Sequence, residues 1–331
     1  MSAGPARVLA ALRRAGDRPL TGVDLSRAHG VSRTQVWKDV ETLRARGYRI
    51  EASAGDGYRL LGAPDRLYPD EIEAGLETRW LGRSLHYLDE TDSTNRVAAE
   101  LAREGAPHGA AVIAEGQTAG RGRLGRRFHS PPYENLYVSI VLRPTLSVAQ
   151  APAWILASAV GVADAVAAGL GRDDAVEIKW PNDVLIDGLK AAGILMELGA
   201  EATQVAWMVL GIGVNLNVDP AGFPEEFRAR ATSLADRRGE RVDRAAFTRA
   251  LFGHLESVLD SCAKQGFRGI IPRFEARFHM RDRRVSLREV DGAVHEGRVL
   301  GIDPDGALLL EVKGTARRFL AGDVTLSGSE S

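Results

Sequence analysis

Cysteine is almost absent from this 331-residue sequence, which contains only Cys262. A single cysteine excludes an internal disulfide framework, and the sparse histidines and cysteines show no metal-ligand spacing. Cys262 lies on the apolar stripe of a helical pattern, so we expect an inert buried thiol rather than a nucleophile. No apolar run reaches the roughly 18 residues that span a bilayer, and the sequence does not begin like a signal peptide. We therefore expect a cytoplasmic protein that contacts no membrane.

Two common nucleotide-binding motifs are also missing. No G-x-x-x-x-G-K-[ST] loop occurs in the sequence. The G-x-G at Gly211 and Gly213 follows a predicted strand, but it lacks a third glycine and opens no convincing helix. The sequence therefore does not indicate a dinucleotide-binding fold.

Charge is distributed unevenly along the chain. Residues 1–62 carry eleven Lys and Arg against six Asp and Glu, a balance of +5, which leaves −6 for the remainder of a chain whose net charge is −1. A basic head on an acidic body indicates two different partners.

The basic head, residues 1–63, is predicted to be a winged helix-turn-helix. Three helical patterns follow each other closely, and "SRTQVWKDVETLRARG" has apolar residues at helical spacing with a capping box formed by Ser32 and Gln35. Only a few residues around Gly30 separate the second and third helices. The segment "YRIEASAGDGYRLL" then predicts two short strands around a Gly-Asp-Gly turn.

The third helix is the candidate DNA-reading element. Its apolar stripe faces inward, which leaves an outer face that could enter a major groove. The residues that we expect to contact DNA are Arg33, Thr34, Trp37 and Lys38, with Arg59 from the hairpin. Glu41 on the same face weighs against DNA, and winged helices also serve as protein-contact modules, so that alternative stays open.

The central segment, residues 64–278, is predicted to be α+β with an antiparallel or mixed sheet and helices packed on it. Between the strands Ala110–Glu115 and Leu136–Leu142 lies "GRGRLGRRFHSP", which contains four arginines. Glycine allows close backbone approach to a ligand, and arginine donates to carboxylate and phosphate. We expect a lid that is mobile when empty and becomes ordered around an anion. An arginine-rich nucleic-acid-binding segment is the alternative.

Four motifs accompany this loop in a recognisable order: "DSTN" (Asp92–Asn95), "KWPND" (Lys179–Asp183), "KAAGIL" (Lys190–Leu195) and "GIGVN" (Gly211–Asn215). Together they resemble the biotin protein ligases. With the winged helix in front, the chain resembles the bifunctional subgroup that is also the biotin operon repressor. The resemblance implies a central mixed-sheet catalytic domain of the biotin/lipoate-ligase type, and the short strands of residues 279–331 then fit an SH3-like β-barrel.

The resemblance implies a two-step reaction with ATP, biotin and Mg²⁺. The carboxylate of biotin attacks the α-phosphate of ATP to give biotinyl-5′-AMP, and a lysine of a biotin carboxyl carrier protein then attacks that anhydride. Because one anion approaches another, positioning and charge neutralisation should carry most of the catalysis.

The site residues are carried over from the family by position. Those implied for biotin are Ser93, Thr94, Asn95, Gln117, Gly120, Arg121, Gly122, Arg123 and Lys190, of which Arg121, Arg123 and Lys190 are the catalytic candidates. Those implied for the nucleotide are Arg123, Phe128, Lys179, Asn182, Asp183 and Asn215. No metal-ligating residue is assigned. Simpler interpretations are an exposed Lys190, a turn role for Asn182 and an Asp183 that pairs with Lys179.

One departure and two alternatives remain. Phe128 stands where the family commonly has tryptophan, so an indole hydrogen bond is lost. In the first function hypothesis, adenylate binding promotes a homodimer through the central sheet, and two winged helices bind a palindromic operator. The alternative is a ligase only, in which the winged helix regulates catalysis and touches no DNA; a lipoate-type ligase shares the fold but not this set of motifs.

Overall fold

The structure is a computed structural model that describes residues 3–53 and 56–326. The chain divides into two compact units after Arg66. The helices are α1 (Ala3–Ala15), α2 (Gly22–His29), α3 (Arg33–Ala45), α4 (Pro69–Glu73), α5 (Thr94–Arg103), α6 (Ala151–Leu170), α7 (Glu225–Arg228), α8 (Leu234–Arg238), α9 (Arg244–Gln265) and α10 (Ile271–Glu275). The strands are β1 (Arg49–Ser53), β2 (Gly57–Gly62), β3 (Leu85–Thr91), β4 (Ala111–Gln117), β5 (Leu136–Leu142), β6 (Val176–Lys179), β7 (Asp183–Ile186), β8 (Leu189–Glu201), β9 (Gln204–Val214), β10 (Arg284–Arg288), β11 (Val294–Ile302), β12 (Leu308–Val312), β13 (Thr315–Phe319) and β14 (Asp323–Leu326).

The first unit has the predicted winged helix-turn-helix arrangement. Helices α1, α2 and α3 bury an apolar core that includes Leu25, Val36 and Val40, each at most 1% exposed, and β1 pairs antiparallel with β2. Thr21 caps α2 by accepting the Asp24 backbone N–H at 3.1 Å. Gly30 ends α2 in the left-handed conformation that favours glycine. The short connection to α3 gives the helix-turn-helix its proportions.

The predicted capping box of α3 is wrong in one half. Ser32 accepts the Gln35 backbone N–H at 3.1 Å, but the Gln35 side-chain amide donates to Asp39 at 2.9 Å instead of returning to Ser32. Asp39 is 3% exposed, and a buried carboxylate needs a donor more than an exposed helix end does. Of the predicted Gly-Asp-Gly turn, Gly55 lies outside the described residues.

A seven-stranded mixed sheet forms the base of the second unit, with strand order β3-β4-β5-β9-β8-β7-β6. β3 and β4 are parallel and the other neighbours are antiparallel. A parallel pair requires a crossover, which α5 supplies. The sequence interpretation did not include β3, whose seven residues are all half-buried or exposed and form no apolar run. Gly211 and Gly213 lie inside β9 rather than after a strand.

Helix α6 lies at the centre of the core and packs on α9 and on β6, β7 and β8. The segment Val148–Leu170 is long and apolar enough, by length and composition, to cross a membrane, so the expectation that no such segment exists is wrong. Most of it is buried inside the fold, 78% of its most apolar window, which accounts for its apolar composition. On α9, burial raises the pKa of the Cys262 thiol to about 11, as expected for an inert cysteine.

The C-terminal part of this unit is a five-stranded antiparallel sheet with order β13-β12-β11-β10-β14. The short strands predicted for residues 279–331 are thus present. The fifth, β14, has only four residues and pairs with β10. Trp180 of the central part donates its indole N–H to the Gly306 carbonyl at 3.2 Å, which joins the two parts of the unit.

Candidate active site

Three predicted biotin-binding residues meet at the N-terminal end of α5. Ser93, Thr94 and Asn95 are buried, each at most 4% exposed. Ser139 Oγ on β5 lies 2.8 Å from Thr94 Oγ1 and 2.6 Å from Asn95 Oδ1. The hydroxyl of Ser93 neither caps α5 nor forms another hydrogen bond with the described residues.

Gln117, the last residue of β4, connects this cluster to the arginine loop. Its Oε1 accepts the backbone N–H of Thr94 at 2.8 Å and the Thr94 hydroxyl at 3.0 Å, while its Nε2 donates to Ser130 Oγ at 3.1 Å. A Cβ at Gly120 would lie 2.6 Å from Ser130 Oγ and 2.8 Å from the Phe128 carbonyl oxygen. Glycine is therefore required where the loop begins.

The arginine loop forms a small hairpin of its own. The Gly122 N–H donates to the Arg126 carbonyl at 2.7 Å and the Phe128 N–H to the Gly120 carbonyl at 2.9 Å. Three arginines leave this hairpin in different directions. Arg123 Nη1 donates to Asn182 Oδ1 at 3.3 Å, Arg121 Nη1 lies 4.0 Å from Glu197 Oε1, and Arg126 pairs with Asp323 of β14. Burial lowers the pKa of Arg123, and the nearby Asp323 and Asp183 carboxylates oppose that shift.

Three glycines of β8 and β9 lie beneath the side chains of Asn95, Phe128 and Lys190. We call these glycines, Gly193, Gly211 and Gly213, the glycine floor. A Cβ at Gly211 would lie 1.9 Å from Asn95 Oδ1, and a Cβ at Gly213 would lie 2.5 Å from the phenyl ring of Phe128. A Cβ at Gly193 would lie 3.2 Å from Lys190 Nζ and 3.4 Å from the same ring. The glycine floor thus lets Asn95, Phe128 and Lys190 approach one surface of the sheet.

Lys190 lies on β8 and its Nζ is 2.7 Å from Asp183 Oδ1. The interpretation of Asp183 as a partner of Lys179 is therefore wrong, and Lys190 is half-buried rather than freely exposed. Asn182 is more than a turn residue, because its Nδ2 donates to the Ile194 carbonyl at 2.8 Å while its Oδ1 accepts from Arg123. The peptide bond before Pro181 is cis, which the sequence interpretation did not include.

The remaining predicted residues have looser relations to this cluster. Asn215 donates to the Thr232 carbonyl at 3.0 Å and so fixes the chain where β9 ends. Lys179 lies opposite Asp183 in the antiparallel register of β6 and β7. Its side chain, however, forms no hydrogen bond or ion pair with the described residues. Gly122 serves the hairpin rather than the glycine floor.

The sequence interpretation missed several residues that build the site. Ser139, Glu197 and Ser130 hold the predicted residues, and a lone serine within the apolar run "LYVSIVL" was the signal for the first of them. Beneath the site, Arg244 and Glu115 form an ion pair of 2.8 Å in which neither side chain is exposed. This pair joins residues 129 positions apart, so no local pattern reveals it.

The outer face of α3 in the first unit carries the predicted DNA contacts. Arg33, Thr34, Trp37 and Lys38 are exposed, and Trp37 keeps 53% of its surface accessible. The predicted contacts on α3 are therefore accessible to a partner. Arg59 on β2 is engaged by Glu51 at 2.8 Å.

Three segments of the chain match known families. Residues 87–215 match the biotin/lipoate A/B protein ligase family, residues 6–59 match an HTH domain, and residues 282–327 match the biotin protein ligase C terminal domain. Among solved structures, the biotin protein ligase from Aquifex aeolicus in complex with biotin and ATP superposes with a TM-score of 0.63 at 28% identity, covering 74% of this chain and 98% of that one.

Curated relatives match nearly the whole chain. The bifunctional ligase/repressor BirA of Bacillus subtilis is 39% identical over 315 residues, which covers 95% of each chain. The protein of the same name from Escherichia coli is 32% identical over 311 residues, which covers 94% of each chain. The chain therefore belongs to the biotin protein ligases, and its full-length match places it with the bifunctional ligase/repressor members of that family.

Proposed function

We propose that this chain is a biotin protein ligase that activates biotin with ATP as biotinyl-5′-AMP and transfers biotin to a lysine of a biotin carboxyl carrier protein. The observation that carries the proposal is the convergence of Asn95, Phe128 and Lys190 on the glycine floor. Arg123 donates to Asn182, which in turn donates to the carbonyl of Ile194, the residue after Gly193. We further propose a division into residues 1–63 for DNA, 64–278 for catalysis and 279–331 for support of the catalytic loop. A protein that uses ATP as a substrate and binds operator DNA is consistent with a cytoplasmic location.

The biotin end of the site is assigned to Ser93, Thr94, Asn95 and Gln117. Ser93 is buried with an unused hydroxyl, so it is free to bond the polar ureido head of biotin. Thr94 and Asn95 already bond Ser139 and Gln117, which pre-organises the pocket before ligand arrives. The glycine floor lets Asn95 lie directly against β9 at Gly211.

The reacting end of the site is assigned to Arg121, Arg123 and Lys190, with Gly120 and Gly122 shaping the loop that carries the two arginines. Attack of a carboxylate on a phosphate concentrates negative charge, and fixed cations stabilise that charge most where water is excluded. Arg123 is half-buried and supplies a planar donor pair, while Lys190 supplies a compact ammonium. These groups position the two substrates and neutralise the pentacovalent phosphate as pyrophosphate leaves.

The nucleotide is assigned to Phe128, Lys179, Asn182, Asp183 and Asn215 together with Arg123. ATP would be used as its Mg²⁺ complex, with the ion carried by the phosphates as part of the substrate. No group of three or more His, Cys, Asp or Glu among the described residues could hold a metal ion, and Asp183 is already paired with Lys190. We therefore assign no resident metal site.

The arginine loop is assigned as the lid over the adenylate. A mixed anhydride hydrolyses when water reaches it, and the contacts of Arg123 with Asn182 and of Arg126 with Asp323 give the lid two attachment points. The Arg123→Gly variant should release the adenylate, and the free adenylate should then biotinylate bystander lysines in solution. Unchanged retention of the adenylate by that variant would contradict the lid assignment.

The experiment that tests the ligase assignment is transfer of labelled biotin to a purified carrier domain with MgATP. Wild type should transfer, and Lys190→Ala should reduce the rate by on the order of a hundredfold or more, the range found when one donor to a developing oxyanion is removed. No transfer by wild type would overturn the proposal.

We also propose that the chain is a biotin-dependent repressor. The exposed basic face of α3 supports operator binding, and the outer edge of β8 supports adenylate-dependent homodimerisation. β7 covers β8 only as far as Gly193, so Met196–Glu201 pairs with β9 alone among the described residues and offers an open edge to a second copy. Sedimentation with and without biotin and ATP tests this, since dimer formation should require both. A chain that stays monomeric and binds no operator would favour the ligase-only alternative.

A further inference from the structure

Lysine is rare in this chain, although basic residues are not. The sequence has 38 arginines and only five lysines, which are Lys38, Lys179, Lys190, Lys264 and Lys313. A biotinyl-adenylate acylates amines, whereas a guanidinium stays protonated and is a poor nucleophile. A site that uses arginine can therefore bind its own reactive product without being acylated by it.

Lys190 is the exception, because it is a lysine at the reacting end of the site. Its Nζ is 2.7 Å from Asp183 Oδ1, and its terminal carbon and nitrogen both lie over Gly193. Gly193 is in turn the backbone partner of Asp183 between β7 and β8. The carboxylate is thus fixed by the sheet at the point that the amine reaches, and only 20% of its side chain is exposed.

We propose that Asp183 is a positioning residue that keeps Lys190 from capturing the biotinyl group of the adenylate. This inference rests on the proposed ligase function. The ion pair anchors the Lys190 Nζ over Gly193, 2.7 Å from Asp183 Oδ1, so the nitrogen is held on the sheet and is not free to reach the carbonyl carbon of the anhydride. The ammonium still neutralises the phosphate, and the acyl group remains for the acceptor.

The reaction that is prevented is an ordinary acyl transfer. The amine first gives one proton to solvent, and its lone pair then attacks the carbonyl carbon of the mixed anhydride. A C–N bond forms, the C–O bond to the phosphate breaks, and AMP leaves with that electron pair while a second proton passes from nitrogen to solvent. The product would be an amide on Lys190 and an inactivated enzyme.

The surroundings of Arg123 support the same reasoning for the rest of the site. Burial lowers the pKa of Arg123, although an arginine remains charged throughout the physiological range. A lysine in equal surroundings would lose its charge more readily and become a nucleophile. Arginine at position 123 therefore supplies a positive charge without supplying an amine that the adenylate could acylate.

The test uses the full-length protein incubated with chemically prepared biotinyl-5′-AMP, so that it does not depend on adenylate synthesis. Acylated lysines are mapped by mass spectrometry, and acylation at Lys190 is divided by acylation at Lys264, which is exposed on α9 and reports adenylate free in solution. Asp183→Asn should raise this ratio by on the order of tenfold or more, because proximity favours the amine in the site. Asp183→Glu keeps a carboxylate and should restore a low ratio.

A ratio that is equally low in Asp183→Asn, or already high in wild type, would overturn the proposal. If Asp183→Asn fails to fold or to bind the adenylate, Asp183→Ser provides the second arm, because it removes the same carboxylate and should raise the same ratio; an equally low ratio there would overturn the proposal. Arg123→Lys checks the argument about arginine separately: it should become acylated at position 123, whereas Arg127→Lys, an exposed change on the same loop, should be acylated no faster than Lys264. Absence of adenylate synthesis by wild type from biotin and MgATP would instead overturn the ligase function itself.

Discussion

The phenyl ring of Phe128 lies directly over Gly213, so that a Cβ on this glycine would come within 2.5 Å of two ring carbons. We expect Gly213→Ala to displace the ring from the glycine floor and to weaken biotin binding by on the order of tenfold, since overpacking costs about 1–3 kcal/mol. Calorimetric titration with biotin measures the effect. Gly253→Ala is the matched control, because nothing lies within 4 Å of a Cβ at that exposed helical glycine. Equal biotin affinity in both variants would contradict the assigned role of the floor.

Operator binding should depend on a specific contact made by Arg33 and not only on its positive charge. Arg33→Ala removes an exposed side chain at the start of α3 and should cost about 1–3 kcal/mol of DNA affinity while biotin transfer is unchanged. Arg14→Ala removes the same charge from the exposed end of α1 and serves as the control. Gel-shift titrations at fixed salt compare the two variants. Equal losses would indicate a general electrostatic effect in place of a specific contact.

The buried ion pair beneath the site should be costly to break from one side. Arg244→Met leaves Glu115 without its 2.8 Å partner in surroundings where both side chains are 0% exposed, so we expect a loss of about 3–5 kcal/mol in the free energy of unfolding. Thermal unfolding of the larger unit measures this change. The exposed pair of Arg298 with Asp282 provides the comparison, and Arg298→Met should change stability little. A small effect for both variants would show that Glu115 is satisfied by its other contacts.

Glu256 should make the stability of the larger unit depend on pH. Burial raises its pKa, but hydrogen bonds from the backbone N–H groups of Arg79, Trp80 and Leu81 outweigh that effect, so the pKa of this carboxyl is lowered in the fold. A group with a lowered folded pKa contributes stability that is present above the unfolded carboxyl pKa of about 4.3. That contribution is lost as the pH falls through the folded pKa.

Glu256→Gln should therefore lower the melting temperature at pH 7. Below the unfolded carboxyl pKa, the melting temperature of the variant should fall less steeply with decreasing pH than that of wild type. Melting curves between pH 7 and pH 3 compare the variant with wild type, over a range that begins above the unfolded carboxyl pKa of about 4.3 and ends below it. Parallel curves for the two proteins would rule out the contribution of Glu256.

The turn between β8 and β9 should accept glycine. Ala202 has a φ of 55°, and Thr203 completes a two-residue hairpin loop whose first residue favours glycine. Ala202→Gly should stabilise the protein by about 1 kcal/mol, since L residues pay roughly that amount in the left-handed region. Ala200→Gly in the neighbouring strand should destabilise it instead, and a lower melting temperature for Ala202→Gly would contradict the reasoning.

Short patterns and local chemistry were enough to predict part of this structure. The boundaries of β5, the winged-helix arrangement and the buried Cys262 followed from apolar periodicity and from turn residues. The resemblance of five short segments located the site along the chain. Periodicity did not reveal β3, because a strand with few buried residues has no continuous apolar run.

Which side chains meet depends on the tertiary fold. The pairing of Lys190 with Asp183 rather than of Lys179 with Asp183 depends on the antiparallel register of β7 and β8, and the Glu115–Arg244 pair joins strands and helices far apart in sequence. The contact of Gln35 with Asp39 and the burial of the apolar α6 were decided by neighbours as well. Contacts of this kind depend on the position of several elements at once, and no residue pattern within one element carries that information.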